Sequence, residues 1–420
     1  MRYRLGLWQG VALYVGAVLG TGILVLPAIA AETAGPASVV AWLGLVLLSV
    51  PLALAYAALS RERPDAAGFS GAVERAFGAR WGGAAGWIFL AQVPTGTVVA
   101  ALIAGQYAAS LVGGGREASF ALGTGLVGLA FVLNAAGLRV SARAQLCAVG
   151  AIAAGMILVV ARTLGRVELS AFVPFAPHGG VAVGAAALQL FWAFVGWEAI
   201  TPLAADFEHP RDISRASVVA VIVVGLLYVS LAIATIGTSA YGRALGGAAP
   251  LVSMAASAFG PAAALLVGAA GFVLSFAPLN AYTAGISRLI CALAQRRQLP
   301  AWLGEAAPSG TPLRALAVLG AFCAAAAATA YIAGWKLADL LPLSTSSFIA
   351  TYVLSMAAAV RLLRPPLRYA AAVAFLACVV VLLFSGALLA WVAAVAAASL
   401  GYQWIVAPRT ASPSTAHAAD

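Results

Sequence analysis

Charge is scarce in this chain. Only 9% of its 420 residues are charged, where a soluble domain carries about 25%. That shortage excludes an ordinary water-soluble globule. Lysine occurs once, at Lys336, and histidine three times, at His178, His209 and His417. The histidines are scattered, with no HExxH or Cys/His spacing, so no metal site is expected. Cysteine is equally sparse: Cys147, Cys291, Cys323 and Cys378 lie in or beside apolar runs without CxxC spacing, which reads as free, buried thiols. No GxSxG or Walker A sequence is present, and Gly113–Gly115 lead into no lysine. No enzyme and no cofactor is expected.

What the chain has instead is hydrocarbon. Apolar residues make up 63% of it, and the mean hydropathy is +1.02. A membrane helix needs roughly 20 apolar residues, so the length accommodates about a dozen. The run from Leu5 to Ala31, behind Arg2 and Arg4, is too long for the 7–15 apolar residues of a signal peptide and reads as an uncleaved first span. Apolar runs predict twelve spans near 9–31, 36–60, 83–113, 118–137, 142–163, 182–205, 214–240, 260–291, 313–334, 337–360, 367–385 and 387–406. Residues 1–406 form one transmembrane domain, and 407–420 read as a disordered cytoplasmic tail.

The net charge of +10 comes from short arginine clusters between spans, so it reflects orientation in a bilayer and not nucleic acid. With the N-terminus inside, Arg116, Arg162, Arg166, Arg243 and Lys336 fall outside. The other 18 of the 23 basic residues fall inside. That split predicts both termini in the cytoplasm. Asp65–Gly82, with apolar residues at helical spacing and Arg75 and Arg80, predicts a helix lying at the cytoplasmic interface.

Two spans are interrupted. Span one contains Gly20-Thr21-Gly22 followed by Pro27; span six contains Phe194-Val195-Gly196-Trp197-Glu198, with Pro202 beyond. They are five spans apart, the offset expected of inverted repeats. Discontinuous helices at matching points of two repeats mark a transporter's binding site. Breaking span one exposes main-chain N–H groups at the start of its outer half, where a carboxylate is favoured. Carbonyls around Ala17 and Val18, and those near Trp192 and Val195, would accept from an ammonium. A zwitterionic amino acid fits such a site.

Glu198 is the only acid set deep in an apolar span. As an anion there it costs from about 3 kcal/mol upward unless it is paired, protonated or facing water. A proton-coupling role is therefore expected. Simple hydrogen bonding to a neighbouring helix is the plainer alternative. Trp192 and Trp197 read equally as packing aromatics. Ser275, Asn280 and Tyr282 in span eight, and the hydroxyls of Ser344–Ser347 in span ten, could line a pocket or bond within the bundle.

These residues resemble the amino acid–polyamine–organocation (APC) transporter superfamily, across most of the chain and best in spans one to ten. The likeness rests on Gly20-Thr21-Gly22, on Phe194-x-Gly196-x-Glu198, on Asp206-Phe207-Glu208-His209-Pro210-Arg211 and the residues to Ala216, and on Ser287-Arg288 leading to Arg296-Arg297-Gln298-Leu299-Pro300. Within the superfamily the chain is most similar to bacterial exporters of methionine and branched-chain amino acids. The resemblance implies an all-α, LeuT-type fold of 5+5 inverted repeats (9–163 and 182–360) plus two further helices (367–406). It also implies alternating access in a bacterial inner membrane. Substrate would be held by Ala17, Val18, Gly20, Thr21, Gly22 and Ile23, by Trp192 as an aromatic gate, by Val195 and Gly196, and by Asn280. Glu198 would be the proton-coupling carboxylate. Many relatives carry a lysine in span five; Ile152 stands there in this chain. The expected function is proton-coupled export of neutral apolar amino acids. Transport of cationic amino acids or polyamines, and a channel or receptor of the same fold, are the alternatives.

Overall fold

Apolar backbone with no water to bond must satisfy its own N–H and C=O groups, and helices do so within one segment. The computed structural model describes residues 5–62, 68–137, 142–198, 207–242, 250–307 and 310–406. They form sixteen α-helices. These are α1 (Leu7–Val18), α2 (Leu26–Ala34), α3 (Ser38–Glu62), α4 (Gly68–Phe77), α5 (Ala79–Ala91), α6 (Val93–Val112), α7 (Arg116–Ala135) and α8 (Ala142–Leu164). Then follow α9 (Gly179–Leu190), α10 (Pro210–Gly237), α11 (Pro250–Phe259), α12 (Pro261–Gln295), α13 (Leu313–Ile332), α14 (Leu337–Leu362), α15 (Leu367–Leu383) and α16 (Leu389–Val406). The only strand-like pairing among the described residues is a bridge between Leu5 and Phe207.

Among the described residues, eight helical stretches are long and apolar enough to cross a membrane. The two interrupted segments, 7–18 and 179–194, are apolar but shorter because each is broken. The span expected over 83–113 is built from α5 and α6, which meet at Gln92, with Pro94 in the first turn of α6. Proline cannot donate to the preceding turn, so the helix restarts there.

The helix expected within Asp65–Gly82 exists as α4. Phe69, Ala72, Val73 and Ala76 are buried, and α4 packs on α5 and α14. Close approach explains this: a Cβ on Gly82 would stand 2.7 Å from Cβ of Glu74. Arg296 joins Glu74 at 2.9 Å and ties α12 to this corner.

Around the centre, α1 packs on α10, α2 on α9, and α3 on both α9 and α10. From the other side, α6 packs on α12 and α14. Trp42, Phe194 and Tyr228 pack together at the join, Trp42 meeting Tyr228 edge to face at 5.2 Å and lying tilted 5.7 Å from Phe194. Cys291, Cys323 and Cys378 are buried free thiols; the side chain of Cys147 lies outside the described residues. So do the side chain of Ile152, residues 199–206 with Pro202 and Asp206, and the tail.

Candidate functional site

The first break runs from Leu19 to Val25. Helix α1 stops at Val18, Gly20 is extended, Thr21–Leu24 make one 3-10 turn, and α2 begins at Leu26 with Pro27 in its first turn. The first N–H groups of such a turn have no partner within it, so those of Thr21, Gly22 and Ile23 are available.

The second break begins where α9 tightens into a 3-10 turn over Phe191–Phe194 and Val195 becomes extended. Gly196 follows with φ +127°, a conformation essentially confined to glycine. A Cβ there would also stand 2.8 Å from the carbonyl oxygen of Ala17. The second break therefore meets the last turn of α1 main chain to main chain, a contact glycine permits.

Tyr228 of α10 locks them together. Its hydroxyl lies 2.9 Å from the carbonyl oxygen of Val18 and 3.1 Å from that of Ala193. The Val18 carbonyl also accepts from the N–H of Gly20 at 2.7 Å. Val18 itself lines the cavity, and the single hydroxyl proton of Tyr228 can go to only one of the two carbonyls at a time. Ala17 and Val195 line the cavity; their carbonyls have no backbone partner among the described residues, and that of Ala17 lies against Gly196. Removing the hydroxyl with Tyr228→Phe takes away the one donor that the carbonyls of Val18 and Ala193 share, at about 1–3 kcal/mol for an unsatisfied buried group. Initial transport rates in proteoliposomes should fall about tenfold, equivalent to about 1.4 kcal/mol, with protein yield unchanged. An unaltered rate would show the bridge to be dispensable.

Between the breaks lies a cavity with about 80 Å³ open to water-sized spheres; one water needs about 10–15 Å³ by this measure. Ala17, Val18, Gly20, Thr21, Gly22, Trp192 and Val195 all line it. Ile23, Gly196 and Asn280 do not. Ile23 faces a separate small hollow beside Met156 and Leu274, because a 3-10 turn points successive side chains about 120° apart. Gly196 presses on Ala17 behind the wall. Asn280 turns to α7, where the amide of Asn134 donates to its side-chain oxygen at 2.8 Å.

Trp192 reaches over Gly22 and Gly96: a Cβ on either glycine would come within 2.9 Å and 3.1 Å of the indole. Its ring meets Phe348 of α14 edge-on, 5.8 Å between centres. Trp197 is fully buried, 6.2 Å from Tyr14, as a packing aromatic.

The sequence reading missed Gln92, Gly96, Thr97 and Phe348 in the cavity wall and Tyr228 behind it. Tyr282 joins the wall as one of its two suggested roles. A usable signal existed for two of them. Gln92 and Tyr228 are polar groups in otherwise apolar runs, and such groups must find partners. Gln92 does so through Ser344, whose hydroxyl lies 3.3 Å from its side-chain oxygen. The neighbouring hydroxyls of Thr345 and Ser346 bond back to their own helix, at 2.8 Å and 2.6 Å.

Among the described residues, no charged side chain lines the cavity. Glu198 sits behind it, partly buried, and its Oε2 accepts from the Tyr352 hydroxyl of α14 and from the Gly196 N–H at 3.1 Å. The carboxylate is thus wired to the glycine that shapes the break. On the loop side, Asp212 and Arg215 approach at 3.7 Å, a weak, exposed pair.

Two broken helices facing one small, uncharged cavity match what the comparisons find. The family described as amino acid permease covers residues 5–411. The chain belongs to that family. It is 34% identical over 398 residues, 94% of each chain, to the uncharacterized amino acid permease YecA of Bacillus subtilis. It is 31% identical over 418 residues, 98% of each chain, to the L-methionine/branched-chain amino acid exporter YjeH of Escherichia coli. A more distant relative is cationic amino acid transporter 1 of Arabidopsis thaliana, at 27% over 82% of this chain and 60% of that protein. This permease is a multi-pass membrane protein whose task is moving amino acids, with no enzymatic step.

Proposed function

We propose that this permease is a secondary active transporter of neutral apolar L-amino acids, of the methionine and branched-chain type, exporting them by alternating access in exchange for protons. One observation carries the substrate class: the cavity wall combines free main-chain groups at two helix breaks with apolar side chains and no ionised one. The N–H groups of Thr21 and Gly22 suit a carboxylate. The carbonyls of Val18 and Val195 suit an ammonium, and Ala100, Leu279, Ile286 and Phe348 suit an apolar side chain. Trp192 would cover the bound molecule. The name of the YjeH relative points the same way.

In this reading the chain has twelve spans. Residues 9–163 and 182–360 are inverted repeats, 367–406 add two helices, and both termini face the cytoplasm. Glu198 couples the cycle to protons. It touches Gly196 and not the cavity, so its protonation would act on the shape of the break. That position also weighs against cationic amino acids or polyamines, which would need an acid in the wall.

Counterflow in proteoliposomes tests the substrate class. Methionine, leucine, isoleucine and valine should exchange with preloaded labelled leucine, while arginine, lysine and putrescine should compete at least about tenfold less well. That ratio is what an unpaired buried charge costing about 1.4 kcal/mol or more produces. Equal competition by arginine would reject the assignment. Ohmic conductance would indicate a channel, and binding without exchange a receptor.

A further inference from the structure

A second and larger cavity lies between α6, α7 and α13, an apolar crevice of about 630 Å³. Small residues hollow it out. Gly128 has open space where a Cβ would stand, and a Cβ on Gly320 would meet only Phe131, at 3.4 Å. Its few polar groups are already engaged. The hydroxyl of Thr124 donates to the carbonyl of Phe120 at 2.7 Å, and Cys323 Sγ donates to Thr97 Oγ1 at 3.6 Å. Water entering the crevice would find few polar partners.

The crevice opens toward the membrane. Leu129, Val132 and Phe322, on the two helices that form its sides, are 48%, 64% and 62% exposed, and in a membrane-spanning chain such side chains face hydrocarbon. Along α13 the lining runs from Leu313 to Ala327, about 21 Å at 1.5 Å per residue. That is more than half of the roughly 30 Å hydrocarbon core. An empty apolar space of this size would forfeit dispersion contacts along its whole wall. The hydrocarbon at its mouth can restore them.

Thr97 lines both cavities. Helix α6 is thus a partition one helix thick, with Gly96 and Ala100 toward the central cavity and Val98 and Ala101 toward the crevice.

We propose that the crevice is a binding site for one acyl chain of a membrane phospholipid, which supports the Thr97 wall of the central cavity from behind. The bound chain sets how far α6 can yield toward α13. Amino acid affinity then depends on the lipid. Occupancy itself does not depend on which amino acid is carried.

The full chain is reconstituted in vesicles of phosphatidylethanolamine and phosphatidylglycerol doped with a phospholipid bearing a diazirine in one acyl chain. After photolysis, labelled peptides should map to α7 and α13 at the crevice. Gly128→Phe with Ala324→Phe should lower that labelling at least about fivefold by occupying the space a chain needs. Labelling at the exposed residues Tyr369, Val373 and Leu376 of α15 should stay unchanged. Gly128→Leu serves as a milder filler, and gel filtration verifies folding of both variants. Labelling spread evenly over all outward faces, or insensitive to the fillers, overturns the site. Labelling by a diazirine fatty acid alone, with none from the phospholipid, overturns the occupant. For the support role, the KM of counterflow should rise about threefold in short-chain vesicles as the unsupported wall relaxes, and the filled variants should lose that dependence. A wild-type KM independent of chain length overturns the coupling.

Discussion

Replacing Gly196 with alanine should cut amino acid counterflow by about 30- to 150-fold while the protein still inserts and purifies normally. Two costs converge at this position. At φ +127° a side chain holds the backbone in a region reserved for glycine, at about 1–3 kcal/mol. The new Cβ would also stand 2.8 Å from the Ala17 carbonyl oxygen, and main chain cannot rotate away as a flexible side chain would. Together these amount to about 2–3 kcal/mol against the geometry in which both breaks meet, and each 1.36 kcal/mol is tenfold. Gly285→Ala is the matched control, since a Cβ there meets nothing within 4 Å. Counterflow above half the wild-type rate in Gly196→Ala, measured per mole of reconstituted protein, would mean that close contact of the second break with the last turn of α1 is not required.

The second large effect is expected at Glu198. Glutamine keeps an oxygen that can accept from Tyr352 and Gly196, and removes the group that ionises. Substrate binding should persist, because the carboxylate does not line the cavity. The response to an imposed pH gradient should vanish. For one proton exchanged per amino acid, a gradient of one pH unit supplies about 1.36 kcal/mol, sufficient for a tenfold concentration ratio. Wild-type vesicles should approach that ratio and Glu198→Gln vesicles should show none. Accumulation driven equally well in the variant would place the proton site elsewhere, and Glu198 would then be a structural hydrogen-bonding partner of α14.

Both predictions concern the same few ångströms, where Gly196 links the substrate side of the protein to the carboxylate side. Its Cα packs on Ala17, which faces the cavity, while its N–H reaches Glu198 and the Tyr352 hydroxyl, at 3.1 Å and 3.2 Å. A change in the charge of Glu198 would therefore act first on the segment that carries Val195 into the cavity wall. Tyr228 stiffens the opposite side of the same junction.

The breaks were readable from local sequence, since an interrupted helix follows from residues a few positions apart. Gly20, Gly22 and Pro27 sit within one stretch of backbone, and so do Gly196 and its neighbours. Membrane character and helical class were equally readable, because hydrocarbon leaves the main chain few alternatives. Which side chains meet at the breaks was not readable. Tyr228 bonds Val18 across 210 positions, and Ser344 reaches Gln92 across 252. In a soluble helix a polar stripe reveals the inward face. In α10, α12 and α14 nearly every face is apolar, so the pattern leaves their rotation open and close packing sets it. That rotation turns Asn280 toward Asn134 and brings Tyr282 and Phe348 to the cavity. Local backbone chemistry dictated where the chain unwinds; the fit of distant helices chose what surrounds the opening.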